Sequence, residues 1–274
     1  MQTVTLNNGV VMPQLGFGVW QVPDDEAQPA VETALAAGYR SIDTAKLYHN
    51  EEGVGRAVRA SGVPRSELFI TTKLWNDEHD YDRALRAFDA SLDRLGMDYV
   101  DLYLIHWPVP KQDKYRDAWK ALEKVYAEGR AKAIGVSNFT VANLTRLMES
   151  SSVVPAVNQV ELHPRLSQAE LRAFHAERGI ATEAWSPLGQ GQLIGDTVVA
   201  KVADAHGRTP AQVILRWHLQ LGVIAIPKSV TPSRIRENIE VFDFELSGEE
   251  MAVIDGLDAR GRIGPDPDRM NWLG

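Results

Sequence analysis

The amino-acid sequence predicts an α/β protein, a (β/α)8 barrel preceded by an N-terminal β-hairpin. Helical segments, glycines and apolar strand-like runs follow one another in a regular order, and eight such runs can be counted. Alternating strands and helices favour parallel pairing, and eight repeats close most naturally into a barrel. The 274 residues suit one barrel, which needs about 250 residues. We expect a single domain over residues 1–274, with an open doubly wound sheet as the structural alternative.

The first predicted element is a short hairpin. The segment VTLNNGVVMP places apolar residues on both sides of Asn8 and Gly9. An Asn-Gly pair favours a type I′ turn, in which both central residues need positive φ. We expect this hairpin to precede the barrel.

Six glycines mark the points where predicted helices end and strands follow. Glycine is favoured just after a helix because it adopts the left-handed conformation without steric cost. Each of these glycines is followed by an apolar run. They are Gly38, Gly62, Gly96, Gly129, Gly179 and Gly222. The segments LGFGVW and VPAVNQVE supply the remaining two strands.

Several helices carry recognisable start signals. Capping-box spacing relates Ser167 to Glu170 and Ser247 to Glu250. The pairs Thr209-Pro210 and Thr231-Pro232 place a capping residue directly before a proline at the first helical position. These signals predict where the helices between the strands begin.

Polar or aromatic residues end most of the predicted strands. Catalytic residues of such barrels lie at the carboxyl ends of the strands, so these side chains are expected to line one basin. The strand-end residues are Asp43, Lys73, His106, Ser137, Asn138, Gln159, Trp185, Ser186 and Lys228. Taken singly, each could serve a structural role. Their joint placement favours a functional site.

Tyr48, which follows Asp43 by a few residues, adds a phenol to this set. A phenol with an ordinary pKa of about 10 is protonated at neutral pH and can act as an acid toward a carbonyl oxygen. The Lys73 ammonium favours the phenolate and is expected to lower the pKa of Tyr48, while Asp43 holds the lysine. The imidazole of His106 can orient a carbonyl and stabilise charge on its oxygen.

Three blocks of sequence resemble the aldo-keto reductase family. They are GYRSIDTAKLYHNEEGVG at 38–55, AIGVSNF at 133–139 and IPKSVTPSRIREN at 226–238. Shorter segments, among them TTKLWN, DLYLIHWP and EAWSPLGQG, occur between them in the family's order. Within the family, the chain is most similar to the bacterial 2,5-diketo-D-gluconate reductase group.

The resemblance implies an enzyme that uses NADPH to reduce aldehydes, α-dicarbonyls or keto-sugars. It implies a catalytic tetrad of Tyr48 as proton donor with Asp43, Lys73 and His106. The family binds NADPH on a barrel without the Rossmann glycine loop. In agreement, LGFGVWQ contains G-x-G but lacks the third glycine of that loop.

The resemblance also implies which residues bind NADPH and the carbonyl substrate. Amide and hydroxyl groups of Ser137, Asn138 and Gln159 suit the nicotinamide carboxamide, and Trp185 offers a flat face for the ring. The other predicted cofactor-binding residues are Ser186 and Leu188, then Lys228, Ser229 and Arg234 at the 2′-phosphate, and Glu237 and Asn238 at the adenine. The predicted substrate-binding residues are His106, Trp20, Trp75 and Trp107.

Some positions depart from the family pattern. Lys46 stands between Asp43 and Tyr48, where it would face water or favour anionic substrates, and Val19 replaces a threonine common in relatives. The segment after Ser186 and the C-terminal tail are short. These two features predict an open, permissive pocket.

Composition limits the remaining possibilities. The chain has no cysteine and a net charge of −8, which disfavours disulfides, thiolate chemistry and nucleic-acid or membrane partners. We expect a cytoplasmic monomer without a metal. One alternative is a cofactor-binding redox sensor or regulatory subunit on the same fold. Another is a metal-dependent hydrolase, whose candidate ligands His49, His79, His106 and His163 lack compact spacing.

Overall fold

The structure is a computed structural model that describes residues 1–274, and it begins with the predicted hairpin. Strand β1 (Thr3–Thr5) pairs antiparallel with β2 (Val11–Pro13). The backbone N–H of Gly9 donates to the Leu6 carbonyl at 2.9 Å, and Gly9 has a φ of 85°. Asn8 does not have positive φ, so the predicted type I′ turn is wrong. Instead, this hydrogen bond closes a four-residue turn over residues 6–9, and Gly9 is the one left-handed residue in it.

The hairpin closes the amino-terminal end of the barrel. The side-chain amides of Asn7 and Asn8 donate to the carbonyls of Pro155 and Lys132 at 3.1 and 3.0 Å. Leu6 and Met12 are buried in a cluster with apolar residues from the barrel strands. The interior is therefore sealed at the end opposite the polar strand termini.

Eight parallel strands form the barrel, and neighbours in the sheet are consecutive along the chain. They are β3 (Phe17–Gly18), β4 (Ser41–Asp43), β5 (Phe69–Leu74), β6 (Val100–Ile105), β7 (Ala131–Ser137), β8 (Val157–Glu161), β9 (Ala181–Trp185) and β10 (Ile224–Ala225). Leu15, just before β3, forms a parallel bridge with Ala225 of β10. The first and last strands therefore meet, and the predicted (β/α)8 barrel is confirmed.

Ten α-helices surround the strands. They are α1 (Asp24–Ala37), α2 (Glu51–Ala60), α3 (Tyr81–Leu95), α4 (Tyr115–Ala127), α5 (Val141–Met148), α6 (Ala169–Glu177), α7 (Thr197–His206), α8 (Pro210–Gln220), α9 (Pro232–Ile239) and α10 (Gly248–Asp255). Helices α7 and α10 are additions to the eight βα repeats, and they contact each other. None of the ten helices combines the length and apolar character needed to cross a membrane.

The local signals in the sequence are mostly confirmed. All six predicted glycines have positive φ, between 64° and 106°. Capping boxes form at Ser247 and Thr209, while Thr231 precedes α9 without a side-chain cap. The predicted cap at Ser167 is wrong, because α6 starts after Gln168 and the Ser167 hydroxyl donates to Asp258 instead.

Two glycines of the first family-like block allow α2 to pack closely against its neighbours. A Cβ atom on Gly53 would lie 2.4 Å from the Asp24 carbonyl oxygen of α1. A Cβ atom on Gly55 would lie 2.1 Å from the Leu95 carbonyl oxygen of α3. Since real Cβ atoms do not approach so closely, these glycines fix the position of α2 and of the turn that precedes it.

Candidate active site

The four side chains that the sequence analysis predicts to be catalytic lie together at the carboxyl end of the barrel. Asp43 is the last residue of β4, Lys73 lies near the end of β5, and His106 directly follows β6. Tyr48 ends a short 3-10 turn between β4 and α2. Strand order therefore brings a carboxylate, an ammonium, an imidazole and a phenol to one place.

Lys73 is the centre of this group. Its Nζ atom donates to Asp43 Oδ1 at 2.6 Å, to the Thr44 carbonyl at 2.9 Å and to the Tyr48 hydroxyl at 3.4 Å. The lysine side chain is completely buried. A buried ammonium is tolerated only when it is paired and hydrogen-bonded, and this one uses all three of its donors.

His106 packs edge-on against two aromatic rings. Its centroid lies 5.7 Å from that of Tyr48 and 5.0 Å from that of Trp75. Nδ1 of the imidazole is buried and has no hydrogen-bond partner. Burial, reinforced by the charge of Lys73, holds the pKa of His106 well below its ordinary value, so the ring is neutral at pH 7.

The ionisation of Tyr48 differs from the expectation. Burial raises the pKa of its phenol above the ordinary value, although the Lys73 charge acts to lower it as predicted. The expected net lowering is wrong because loss of hydration penalises the phenolate more than one ammonium stabilises it. Burial alone would lower the pKa of Lys73, but Asp43 outweighs it, and that pKa lies above its ordinary value. Both groups are therefore protonated at neutral pH.

Asn50 holds the loop that carries Tyr48, a role that the sequence did not suggest. Its amide donates to the carbonyls of Val19 and Val22 at 2.9 Å each. Its Oδ1 atom accepts from the Thr44 hydroxyl at 2.7 Å. Asn50 is fully buried, so these bonds tie the 44–50 segment to the β3–α1 connection.

A second network joins the residues predicted to contact the nicotinamide. Asn138 donates to the His106 carbonyl at 3.0 Å and to the Ser137 hydroxyl at 3.0 Å. Its Oδ1 atom accepts from the Trp185 indole at 2.8 Å, which fixes the orientation of that half-buried ring. Gln159 Nε2 donates to Asp43 Oδ2 at 2.8 Å. The nicotinamide-binding candidates and the Tyr48 group are thus one connected site.

The backbone directly after two strands is left-handed at residues other than glycine. Asn138 has a φ of 63° and Ser186 a φ of 48°. Such conformations are uncommon and concentrate at functional sites. Ser186 and Leu188 are both half-buried beside the end of β9.

The residues predicted to bind the cofactor's adenosine end follow β10. Lys228 and Arg234 are exposed, and neither forms an ion pair within the protein. The Ser229 hydroxyl accepts from the Thr231 N–H at 3.1 Å. The remaining two are Glu237, which accepts from the Thr209 hydroxyl at 2.8 Å, and Asn238, which is buried. The two free cations leave this corner able to attract an anion.

Aromatic residues pack beside the Tyr48 group. Trp75 and Trp107 are buried in one cluster, against which Trp185 and Met270 pack. Trp20 is 40% exposed and is not part of that cluster. Of the three predicted substrate-binding tryptophans, the structure therefore brings two together.

The C-terminal tail also packs against the candidate site, which the prediction of an open pocket did not anticipate. The Trp75 indole donates to the Leu273 carbonyl at 2.8 Å, and Trp272 packs against Trp75 at 5.3 Å. Buried Glu161, at the end of β8, accepts the N–H groups of Ile263 and Gly264 at 2.6 and 2.8 Å. The tail thus runs along the carboxyl end of the barrel from β8 to β5.

The structure shows what surrounds Lys46 and Val19, the two residues that depart from the family pattern. Lys46 pairs with Glu78 at 2.9 Å and with Asp77 at 3.5 Å. Its charge is therefore balanced within the protein rather than left free for an anionic substrate. Val19 is fully buried in the core.

The histidines proposed for a metal-dependent alternative do not assemble into a ligand set. No group of three or more potential His, Asp or Glu ligands is positioned to hold a metal ion. His163 pairs with Glu161 at 3.0 Å, while both ring nitrogens of buried His79 lack hydrogen-bond partners.

Glu183, like Asn50, is a residue of the candidate site that the sequence did not reveal. It lies within β9 between Thr182 and Ala184, in a short segment that suggests only a buried strand. Its Oε2 atom accepts from Gln159 Nε2 at 2.8 Å. Burial, reinforced by the Asp43 charge, raises the pKa of Glu183 to about 8. A glutamate inside a strand that is otherwise buried was the available signal, because an unpaired carboxylate there would be costly.

Two proteins of similar sequence are named as reductases, and a protein of similar structure has been crystallised with NADPH. The chain is 54% identical to a glyoxal reductase of Bacillus subtilis over 98% of the chain and 97% of that protein. It is 53% identical to a methylglyoxal reductase of Yersinia pestis over 97% and 96% of the two chains. A crystal structure of a mutant of the protein Gox0644 in complex with NADPH superposes with a TM-score of 0.95 at 48% identity, covering 99% of both chains.

A family-level comparison agrees with these similarities. Residues 13–259 match the description of the aldo/keto reductase family, a range that contains all four side chains of the Tyr48 group. The match extends from the end of the hairpin through α10, so it includes every strand of the barrel. The chain belongs to the aldo/keto reductase family.

Proposed function

We propose that this protein reduces small carbonyl compounds, namely aldehydes, α-dicarbonyls or keto-sugars, to alcohols with NADPH. The observation that carries the proposal is the Tyr48 hydroxyl, held 3.4 Å from the ammonium of a buried Lys73–Asp43 pair. This arrangement offers a proton donor next to a fixed positive charge. Tyr48, Asp43, Lys73 and His106 form the catalytic group in this proposal.

The side chains present fit NADPH. Gln159 uses its amide nitrogen on two carboxyl groups, so its carbonyl oxygen remains for the carboxamide of the cofactor. The orientation of Trp185 is fixed by Asn138, which prepares its face for stacking. At the other end, the unpaired Lys228 and Arg234 suit the 2′-phosphate, which NADH lacks. Ser137, Asn138, Ser186, Leu188, Ser229, Glu237 and Asn238 complete the proposed cofactor-binding set.

Tyr48 supplies the proton in the proposed reaction. NADPH, when bound, provides the hydride that reduces the carbonyl carbon. As negative charge develops on the carbonyl oxygen, the Tyr48 hydroxyl donates its proton to that oxygen. Lys73 stabilises the resulting phenolate, and Asp43 keeps Lys73 in place. General acid catalysis of this kind contributes about 10²–10⁴ in rate.

His106 orients the substrate in this proposal. Because the ring is neutral at pH 7, it carries one N–H and can donate to the carbonyl oxygen without a charge of its own. Its ring lies between Tyr48 and Trp75, so a carbonyl bound there is close to the phenol. Trp20, Trp75 and Trp107 are the proposed apolar walls of the substrate pocket.

The names of the relatives support small α-dicarbonyls as the first substrates to test, since two of them are a glyoxal and a methylglyoxal reductase. The ion pairs of Lys46 leave no free cation in the turn next to Tyr48, which favours uncharged carbonyls over anionic ones. We further propose one domain over residues 1–274, a monomeric state and a cytoplasmic location. The acidic, cysteine-free composition supports that location.

The proposed function is tested by following the absorbance of NADPH with a panel of carbonyl compounds. We expect oxidation of NADPH with methylglyoxal, phenylglyoxal and glyceraldehyde, and slower oxidation of NADH. A protein that binds NADPH but turns over none of these carbonyls would instead support the redox-sensor or regulatory-subunit alternative. EDTA is expected to have no effect on turnover.

A further inference from the structure

Glu183 lies in the same buried layer of the barrel as the Tyr48 group. On β9 it pairs in register with Gln159 of β8, and the side chains of both are buried. Across the interior, Gln159 reaches Asp43 at the end of β4. The proposed reaction gives this carboxyl group no direct task.

One amide connects Glu183 to the catalytic pair. Gln159 Nε2 donates to Glu183 Oε2 and to Asp43 Oδ2, at 2.8 Å each. A primary amide has two N–H donors, and both are used here. The nitrogen must therefore face the two carboxyl groups, which leaves the carbonyl oxygen of Gln159 free on the other side. Asp43 in turn uses its second oxygen for Lys73.

The charges of this layer balance only when Glu183 is neutral. The titratable groups around it are Asp43 from β4, Lys73 from β5 and Tyr48 from the turn that precedes α2. Its neighbours in register on β8 and β10, Gln159 and Ile224, do not titrate. One carboxylate and one ammonium cancel, whereas a second buried carboxylate would leave a net negative charge. Oε1 of Glu183 is buried without a partner, which also disfavours the ionised form.

We propose that Glu183 is a positioning residue, which acts through Gln159 to fix the amide that meets the cofactor and to keep Asp43 bound to Lys73. The inference rests on the proposed function, because it assumes that Gln159 binds NADPH. In this role Glu183 acts on the cofactor through Gln159 and not by direct contact. Its ionisation would add negative charge near Tyr48 and so disfavour the phenolate that forms when Tyr48 gives up its proton.

The test compares Glu183→Leu with Glu183→Gln. Leucine removes the acceptor and lets the Gln159 amide rotate, so we expect the NADPH dissociation constant to rise about tenfold, the loss of roughly one good hydrogen bond. Glutamine keeps an acceptor oxygen of the same shape and should restore affinity to within about twofold of wild type. Affinity is measured by fluorescence titration in the absence of a carbonyl. If Glu183→Leu binds NADPH as wild type does, the proposal is wrong.

The protonation state gives an independent readout. Burial raises the pKa of Glu183 to about 8, so apo wild type should show an infrared band of a carboxylic acid that disappears above that pH. The band should be absent in Glu183→Gln. The rate of carbonyl reduction should decline above about pH 8 in wild type, and this decline should move to higher pH in Glu183→Gln. An unchanged pH profile together with no such band would overturn the proposal.

Glu51→Gln is the matched control. Glu51 is also a buried carboxylate, but it bonds to Thr72 and Arg94 between the barrel and the helices, away from Gln159. Its variant should lose stability without changing NADPH affinity or the pH profile. Should wild type neither bind nor oxidise NADPH, the proposed function fails, and the infrared band of the apo protein still decides whether Glu183 is protonated. If Glu183→Leu does not fold, the infrared band and the pH profile of Glu183→Gln still test the proposal.

Discussion

The Lys73 ammonium lies 2.6 Å from the Asp43 carboxylate, and the two side chains are exposed by only 0% and 3%. Removing water from two charges is costly, and their attraction repays the cost only while both are present. In the proposed mechanism, the pair therefore couples the stability of the barrel to the positive charge that stabilises the Tyr48 phenolate. Loss of either partner leaves a buried charge without compensation.

We expect Lys73→Met to lower the free energy of unfolding by about 3–5 kcal/mol, because Asp43 then stays buried without its cation. Urea denaturation measures the change. Adding Asp43→Asn to this variant should recover part of the loss, since the unpaired charge is removed. The exposed pair of Lys114 and Asp80 is the control, and Lys114→Met should change stability little. If Lys73→Met alone is as stable as wild type, the buried pair does not contribute to stability in this way.

Tyr48→Phe removes one oxygen and, in the proposed mechanism, the proton donor. We expect kcat/KM for phenylglyoxal to fall by about 10²–10⁴, with the NADPH dissociation constant nearly unchanged. Steady-state assays and fluorescence titration measure the two quantities. Tyr81→Phe, at an exposed position on α3, should behave as wild type. Normal turnover by Tyr48→Phe would remove Tyr48 from the mechanism.

Arg234→Ala separates the two nicotinamide cofactors. An arginine that contacts the 2′-phosphate contributes to NADPH binding alone, so we expect a loss of roughly tenfold or more for NADPH and little change for NADH. Arg236→Ala is the matched control, since this arginine lies on the same helix and is also exposed. Equal losses for both cofactors would mean that Arg234 contacts something other than the 2′-phosphate.

Local signals explain why much of the fold could be predicted. A glycine such as Gly96 ends its helix because of its own backbone freedom, whatever the rest of the chain does. The strand-end positions of Asp43 and Lys73 follow from counting repeats. By contrast, Ser167 carries the spacing of a capping box, yet its hydroxyl bonds to Asp258, a residue far along the chain.

The missed parts of the site depend on contacts between distant strands. Glu183 meets Asp43 only through Gln159, and no spacing in the sequence relates these three residues. The sign of the shift in the pKa of Tyr48 depends on burial, which a neighbouring lysine in the sequence does not reveal. The sequence therefore predicts which side chains lie together better than it predicts their ionisation.

His79 should make the protein sensitive to acid. Burial lowers its pKa to about 4, below the ordinary value of 6.5. Between these values the unfolded chain binds more protons than the folded one, so stability is lost as pH falls from about 6.5 toward 4. His79→Leu removes this contribution, and it also removes two buried nitrogens that lack partners. Urea denaturation at pH 7.5 and pH 5 measures the free energy of unfolding of both proteins. On going to pH 5, we expect the stability of the variant relative to wild type to increase by about 2 kcal/mol. A difference independent of pH would contradict this account.

Glu161→Gln should loosen the C-terminal tail. The Glu161 carboxylate accepts hydrogen bonds from the N–H groups of Ile263 and Gly264. Burial alone would raise the pKa of Glu161, but these two bonds and the bond from His163 outweigh burial, so the pKa lies below its ordinary value. An amide has only one acceptor oxygen, so one of the two N–H groups loses its partner. Limited trypsin digestion should therefore cut faster after Arg262 and Arg269 in the variant, while the midpoint of global unfolding changes little. Glu177→Gln, at an exposed position on α6, should be cut at the same rate as wild type. Because Gly264 packs directly against Trp185, a loosened tail should also raise KM for the carbonyl, and an unchanged cleavage rate would show that the tail is held elsewhere.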